Sequence, residues 1–155
     1  VNHYLDDFRG TVFRQTMFAE FEKLIHAAAE DGQALSCRYF QDVYYQLNLD
    51  YFGPDMQVDQ EIDMEWSRIP HFYRAFYVYK YATGMCAATA LAQNILSGDA
   101  EKVAAYIGFL SGGSSQSPLE LLRGAGVDME SPKTLESAMQ VFADMLDELA
   151  ALLQK

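Results

Sequence analysis

Apolar side chains in this chain recur at helical spacing almost from end to end, and glycine and proline close the runs. From about Tyr4 to Glu30, the residues Phe13, Met17, Phe21, Leu24 and Ala28 fall three and four apart, which keeps one face of a helix. Gly32 ends that run. Ser36 is placed to cap the next helix, which extends to about Phe52 before Gly53-Pro54 breaks it. The acidic stretch from Asp55 to Glu65 reads as a loop or a short helix ahead of Pro70, and a long helical pattern follows from about Phe72 to Leu96. Ser97-Gly98 closes it, with glycine as the terminator. Asp99 is the expected cap of a helix through Leu110, and the run GGSSQS at 112–117 is a flexible loop by composition. Ser117-Pro118-Leu119-Glu120 has the form of a capping box, and that short helix ends at Gly124. Ser131-Pro132 opens a last helix with a stripe of Leu135, Met139, Phe142, Leu146, Leu149 and Leu153. Val43, Tyr44 and Tyr45 form a strand-like cluster, but inside a helical period. The expected fold class is all-α, with residues 1–155 as a single multi-helix unit.

Composition narrows the function. Half of the 155 residues are hydrophobic and 14% are aromatic, which excludes a disordered chain. Eleven Lys and Arg against 22 Asp and Glu give a net charge of −11, which argues against nucleic acid as a partner. The longest apolar stretch, around Met85 to Ala92, falls short of the roughly 20 residues needed to span a bilayer. Cys37 and Cys86 stand far apart without a CxxC, as suits free thiols in a reducing cytoplasm. The N-terminus VNHYLDDFRG has neither the basic nor the apolar region of a signal peptide. It also has no initiator Met, and reads as the start of a fragment.

Few groupings carry chemistry. His3, His26 and His71 never fall at the i, i+4 spacing of a helical zinc site. His3 with Asp6 or Asp7, and His26 with Glu22 or Glu30, read as solvated faces, so no metal site is expected within the chain. Ser114 and Ser115 lie outside any GxSxG elbow, and Gly112-Gly113 lacks the Lys-Ser/Thr ending of a phosphate loop. The segment from Ile69 to Tyr81, IPHFYRAFYVYKY, is different. On a regular helix Tyr73, Tyr77 and Tyr81 share one face, and Phe72, Phe76 and Tyr79 another. Phenols and a histidine at one helix start can donate hydrogen bonds to a carbonyl oxygen as it gains charge. They can equally be groove-filling rings whose hydroxyls find backbone partners. Spacing alone reaches a tyrosine-lined groove.

At this segment the chain resembles a known family. The runs FRQTMFAEFE at 13–22, Tyr51-Phe52-Gly53, IPHFY at 69–73, FYVYKYATG at 76–84 and Gly112-Gly113-Ser114 occur in order, followed by Glu120-Leu121-Leu122 and AGVDM at 125–129. Together they resemble the C-terminal portion of the oligoendopeptidase F family, zinc peptidases of the thimet-oligopeptidase-like group. The resemblance implies a deep-clefted, all-helical peptidase that cleaves short peptides in the cytoplasm. In that family an HExxH helix and a following Glu hold the zinc, and the Glu between the two His activates water. This chain contains no HExxH, so zinc is implied for a full-length parent and not for this chain. Glu20 and Glu22 do not replace the missing Glu. The resemblance carries the carbonyl-binding roles onto His71 and two of the tyrosines. Motif position favours Tyr77 and Tyr79, with Tyr73, Tyr81 and Arg68 as substrate-binding residues. Tyr77 and Tyr79 lie nearly opposite on a regular helix, so a distortion near Pro70 is required for both to face one pocket.

Two other readings stand beside this one. A non-catalytic helical domain could bind a peptide in the aromatic groove without cleaving it, or the tyrosines could be packing in a structural bundle. For a fragment, self-association through exposed apolar faces is also expected.

Overall fold

The computed structural model describes residues 1–154, and among them it holds helices and turns but no strand. In order these are α1 (Asn2–Phe8), a π-helical turn (Arg9–Phe13), α2 (Arg14–Glu30), α3 (Cys37–Phe52), 3₁₀ segments at Gln60–Arg68 and Pro70–Tyr73, α4 (Tyr79–Leu96), α5 (Ala100–Ser111), α6 (Pro118–Gly124) and α7 (Pro132–Leu153). The protein is all-α. Its contacts divide it into two compact units, residues 10–82 and residues 1–9 with 83–155. The sequence offers no linker to mark that division, because one crossing falls inside the π-helical turn and the other inside α4.

Residues 10–82 build their core from α2 and α3. Met17, Phe18 and Phe21 of α2 meet Tyr44 and Leu47 of α3, together with Ile69 and Val78. Fully burying one such side chain contributes about 1.5–3 kcal/mol. Ser36 caps α3 by accepting the Tyr39 N–H. Within this core lies an ionic knot. Glu65, on the first 3₁₀ segment, is buried and accepts hydrogen bonds from the Tyr44 hydroxyl at 2.7 Å and from Arg14 at 2.6 Å, and it also pairs with Arg68.

In the other unit, Ala87 and Leu91 of α4 cluster with Ala125 and Val127, while Phe8 of α1 stacks on Phe142 of α7 at 4.9 Å. Three caps stand where their sequences place them. Asp99 accepts from the Glu101 and Lys102 N–H groups, Ser117 and Glu120 close a capping box, and Ser131 accepts from Lys133.

The long helix expected from Phe72 does not form there. Its first turns are replaced by the 3₁₀ segment and a tight turn, and α4 begins only at Tyr79. Pro70 cannot donate to a preceding turn. Ile69 and Val78, at the two ends of the intervening segment, are both buried in the same core.

Candidate functional site

The segment between those two anchors carries the aromatic motif. Pro70 opens a 3₁₀ turn that presents His71, and the Arg74 N–H closes it by donating to the His71 carbonyl at 3.0 Å. A second turn follows at once. The Tyr77 N–H donates to the Arg74 carbonyl at 3.2 Å, with Phe76 in the third position at φ +56°. Positive φ at that position is the geometry of a type II turn, where glycine is favoured. For a residue with a Cβ, it costs on the order of 1–2 kcal/mol. Two groups of α2 meet Phe76 there. Its N–H donates to the buried Glu22 carboxylate at 2.6 Å, and its ring packs on the His26 ring at 4.6 Å.

The double turn brings His71, Tyr77 and Tyr81 together. The His71 and Tyr77 rings lie nearly parallel, with centroids 6.1 Å apart, and the Tyr81 ring stands edge-on to both. The Tyr81 hydroxyl sits 3.3 Å from His71 Nε2 and donates to the Tyr77 hydroxyl at 3.5 Å. These three residues, with Pro70 and Arg74, line an open pocket of about 260 Å³. The bond to Tyr77, with some desolvation, pushes the Tyr81 phenol up against the opposing pull of Arg74. It therefore remains a proton donor at neutral pH. Two phenols and an imidazole at the mouth of a pocket form a cluster of hydrogen-bond donors suited to an oxygen that accepts negative charge.

The other expected residues go elsewhere. Tyr79 does not line this pocket; it is the first residue of α4 and is half-exposed. The distortion near Pro70 does occur, and Tyr77, two residues before α4, meets Tyr81 in the first turn of that helix. Tyr73 is 85% exposed and borders a separate apolar cavity of about 160 Å³ with Phe72 and Trp66. Arg68 turns to Glu65. The guanidinium at the pocket is that of Arg74, which sequence reasoning passed over although it stands midway between His71 and Tyr77. Glu22 was also missed as part of this region, because nothing local links it to a residue 54 positions away.

The residues present do not fit a zinc ion. Among the described residues no group of three His, Cys, Asp or Glu side chains is placed to hold a metal. His71 is surrounded by phenols and a guanidinium rather than carboxylates. Free Cys37 and Cys86 do not alter this; Cys37 is exposed, and burial pushes the Cys86 thiol up. No helix among the described residues is long and apolar enough to cross a membrane.

The chain is similar over its whole length to known oligopeptidases. It is 55% identical over 155 residues to "Oligopeptidase PepF" of Bacillus subtilis, matching all of this chain and 23% of that protein. It is 47% identical to "Group B oligopeptidase PepB" of Streptococcus agalactiae, again over all of this chain and 26% of that protein. The crystal structure of oligoendopeptidase-F from Enterococcus faecium superposes with a TM-score of 0.95 at 48% identity, over 99% of this chain and 29% of that one. The chain thus spans about a quarter of the length of the curated relatives it matches. Residues 1–141 match the sequence profile of peptidase family M3, and the chain belongs to that family.

Proposed function

We propose that this chain forms the carbonyl-binding wall of a metallo-oligopeptidase cleft, in a full-length protein whose zinc ligands and general base lie outside these residues. The observation that carries this reading is the convergence of His71, Tyr77 and Tyr81 on one open pocket. In that role His71 and the two phenols donate to the scissile carbonyl oxygen and stabilise the charge it gains on attack. Tyr77 and Tyr81 take the catalytic places. Tyr79, assigned by motif position, gives way to Tyr81. Arg74 replaces Arg68 beside the pocket, where its positive charge favours an acidic group or the C-terminal carboxylate of a short peptide. The substrates on this reading are cytoplasmic oligopeptides. Among the described residues no group of donors is placed to hold a metal, and on this reading the chain by itself is inert as a hydrolase.

The test is steady-state kinetics of the full-length protein with a short peptide. Loss of one oxyanion donor lowers kcat by about 10²–10³-fold, so His71→Ala, Tyr77→Phe and Tyr81→Phe should each fall in that range with zinc content unchanged. Tyr79→Phe and Tyr73→Phe should leave kcat within about threefold, since neither ring lines the pocket. Unchanged turnover in the first set would remove the role.

Leu146, Leu152 and Leu153 of α7 are exposed, and on this reading the isolated chain self-associates through such faces. A single monomeric species in light scattering at high protein concentration would exclude that.

A further inference from the structure

We propose that Glu22 is a positioning residue for the His71–Tyr77–Tyr81 pocket: by accepting the Phe76 N–H it holds the Arg74–Tyr77 turn in the left-handed form that sets Tyr77 against His71. The inference rests on reading that pocket as the functional site, but its first test does not depend on activity.

Glu22 is 2% exposed in the middle of α2, where an ionisable side chain is costly to bury unless a partner repays it. It takes no part in the nearby knot of Arg14, Tyr44, Glu65 and Arg68. Its bond goes instead to a backbone N–H 54 residues away, at 2.6 Å, the short distance of a charge-assisted bond. That N–H belongs to Phe76, the one non-glycine residue with positive φ among those described. A strained turn persists where its surroundings over-determine it. Here α2 supplies both restraints, Glu22 to the backbone and His26, one helical turn on, to the ring. The peptide bond after Phe76 leads directly into Tyr77, so relaxing φ at Phe76 swings the Tyr77 ring away from its parallel stack on His71.

The experiment is amide hydrogen exchange and side-chain NMR on the isotopically labelled chain, comparing wild type with Glu22→Gln and Glu22→Met. Both variants keep the length of the side chain, but only Gln keeps a carbonyl oxygen to accept the N–H. Glu22→Met should accelerate exchange at Phe76 about 10- to 100-fold, the factor carried by a hydrogen bond to a charged group. It should also move the His71 ring resonances as Tyr77 leaves the stack, while those of the core residue Tyr44 stay. Glu22→Gln should retain most of both. Adding Phe76→Gly to Glu22→Met should restore the His71 resonances in part, because glycine takes positive φ without the Cβ penalty. Wild-type exchange at Phe76 and wild-type His71 resonances in the Met variant would overturn the proposal. If the Met variant loses its helical circular dichroism, exchange in the wild type decides: a protected Phe76 amide supports the bond to Glu22, and one that exchanges as fast as an unstructured amide is the overturning result.

In the full-length protein, Glu22→Met should lower kcat with little change in KM, and should add nothing to Tyr77→Phe, since both act through one hydroxyl. Should Tyr77→Phe prove silent while the exchange result holds, the oxyanion role fails and the positioning of the turn by Glu22 stands.

Discussion

Glu65 shows how little of an individual residue's role its neighbours in sequence reveal. It ends an acidic stretch that reads as a loop or a short helix, yet it is buried beneath Tyr44, Arg14 and Arg68. Its decisive partner, Arg14, is 51 residues away, so no local pattern could announce the pairing. Burial alone would raise the Glu65 carboxyl, but the bonds from Arg14 and Tyr44 and the charges of Arg14 and Arg68 outweigh it and hold the group below the ordinary range. For an acid lowered in the folded state, the stability it contributes is present above its unfolded value, near 4.3, and is lost as pH falls through the lower folded value. Residues 10–82 should accordingly lose stability below about pH 4 more steeply in wild type than in Glu65→Gln. At pH 7 that variant should unfold with about 2 kcal/mol less stability, the cost of weakening charged hydrogen bonds at a buried site. Urea titrations at both pH values, followed through the buried Tyr44, check it. Equal acid sensitivity in the two proteins would show that Glu65 is not the group that titrates.

Among elements, legibility depended on whether a boundary is set locally or by tertiary contact. Ser36, Asp99, Ser117 and Ser131 cap where their sequences place them, because an N-cap needs only its own side chain and the next turn. The aromatic spacing from Phe72 satisfies a helix, yet α4 begins seven residues later, at Tyr79. What prevents the helix is remote: the Glu22 bond to Phe76 and the burial of Val78. The same cause decided the candidate site. The i, i+4 spacing of Tyr77 and Tyr81 was legible in the sequence, but that His71 and Arg74 join them around one pocket follows from a turn that no periodicity encodes. The π-helical turn at Arg9–Phe13 was equally silent, being an interruption within an unbroken apolar pattern. The local class can be tested on α6, seven residues long and held at its start by the Ser117–Glu120 box. Ser117→Ala should cost about 1 kcal/mol and speed amide exchange at the Glu120 N–H that Ser117 accepts. Unchanged exchange there would mean that Pro118 alone fixes the start of the helix.

For the whole molecule the constraint is what a chain of this charge and donor set can hold. A net charge of −11 draws divalent cations to the surface, and that attraction is diffuse and screened, with a Debye length of about 8 Å at physiological salt. A coordination site behaves differently, since its ligands must converge and lose protons to bind. His3 pairs with Asp7, His26 packs on Phe76 and His71 meets Tyr81, and among the described residues none of the three is part of a group of three donors. Zinc titrated into the chain by calorimetry should therefore give weak, superstoichiometric heat at low salt that fades by about 0.5 M sodium chloride, where the Debye length is only a few ångströms. Stoichiometric, salt-insensitive uptake would contradict this, and loss of that uptake in His3→Ala, His26→Ala or His71→Ala would identify the ligand. That outcome would also bear on the pocket. If His71 bound zinc through Nε2, that nitrogen could not also donate beside Tyr81, and the carbonyl-binding role proposed for the pocket would fall to the two phenols and Arg74.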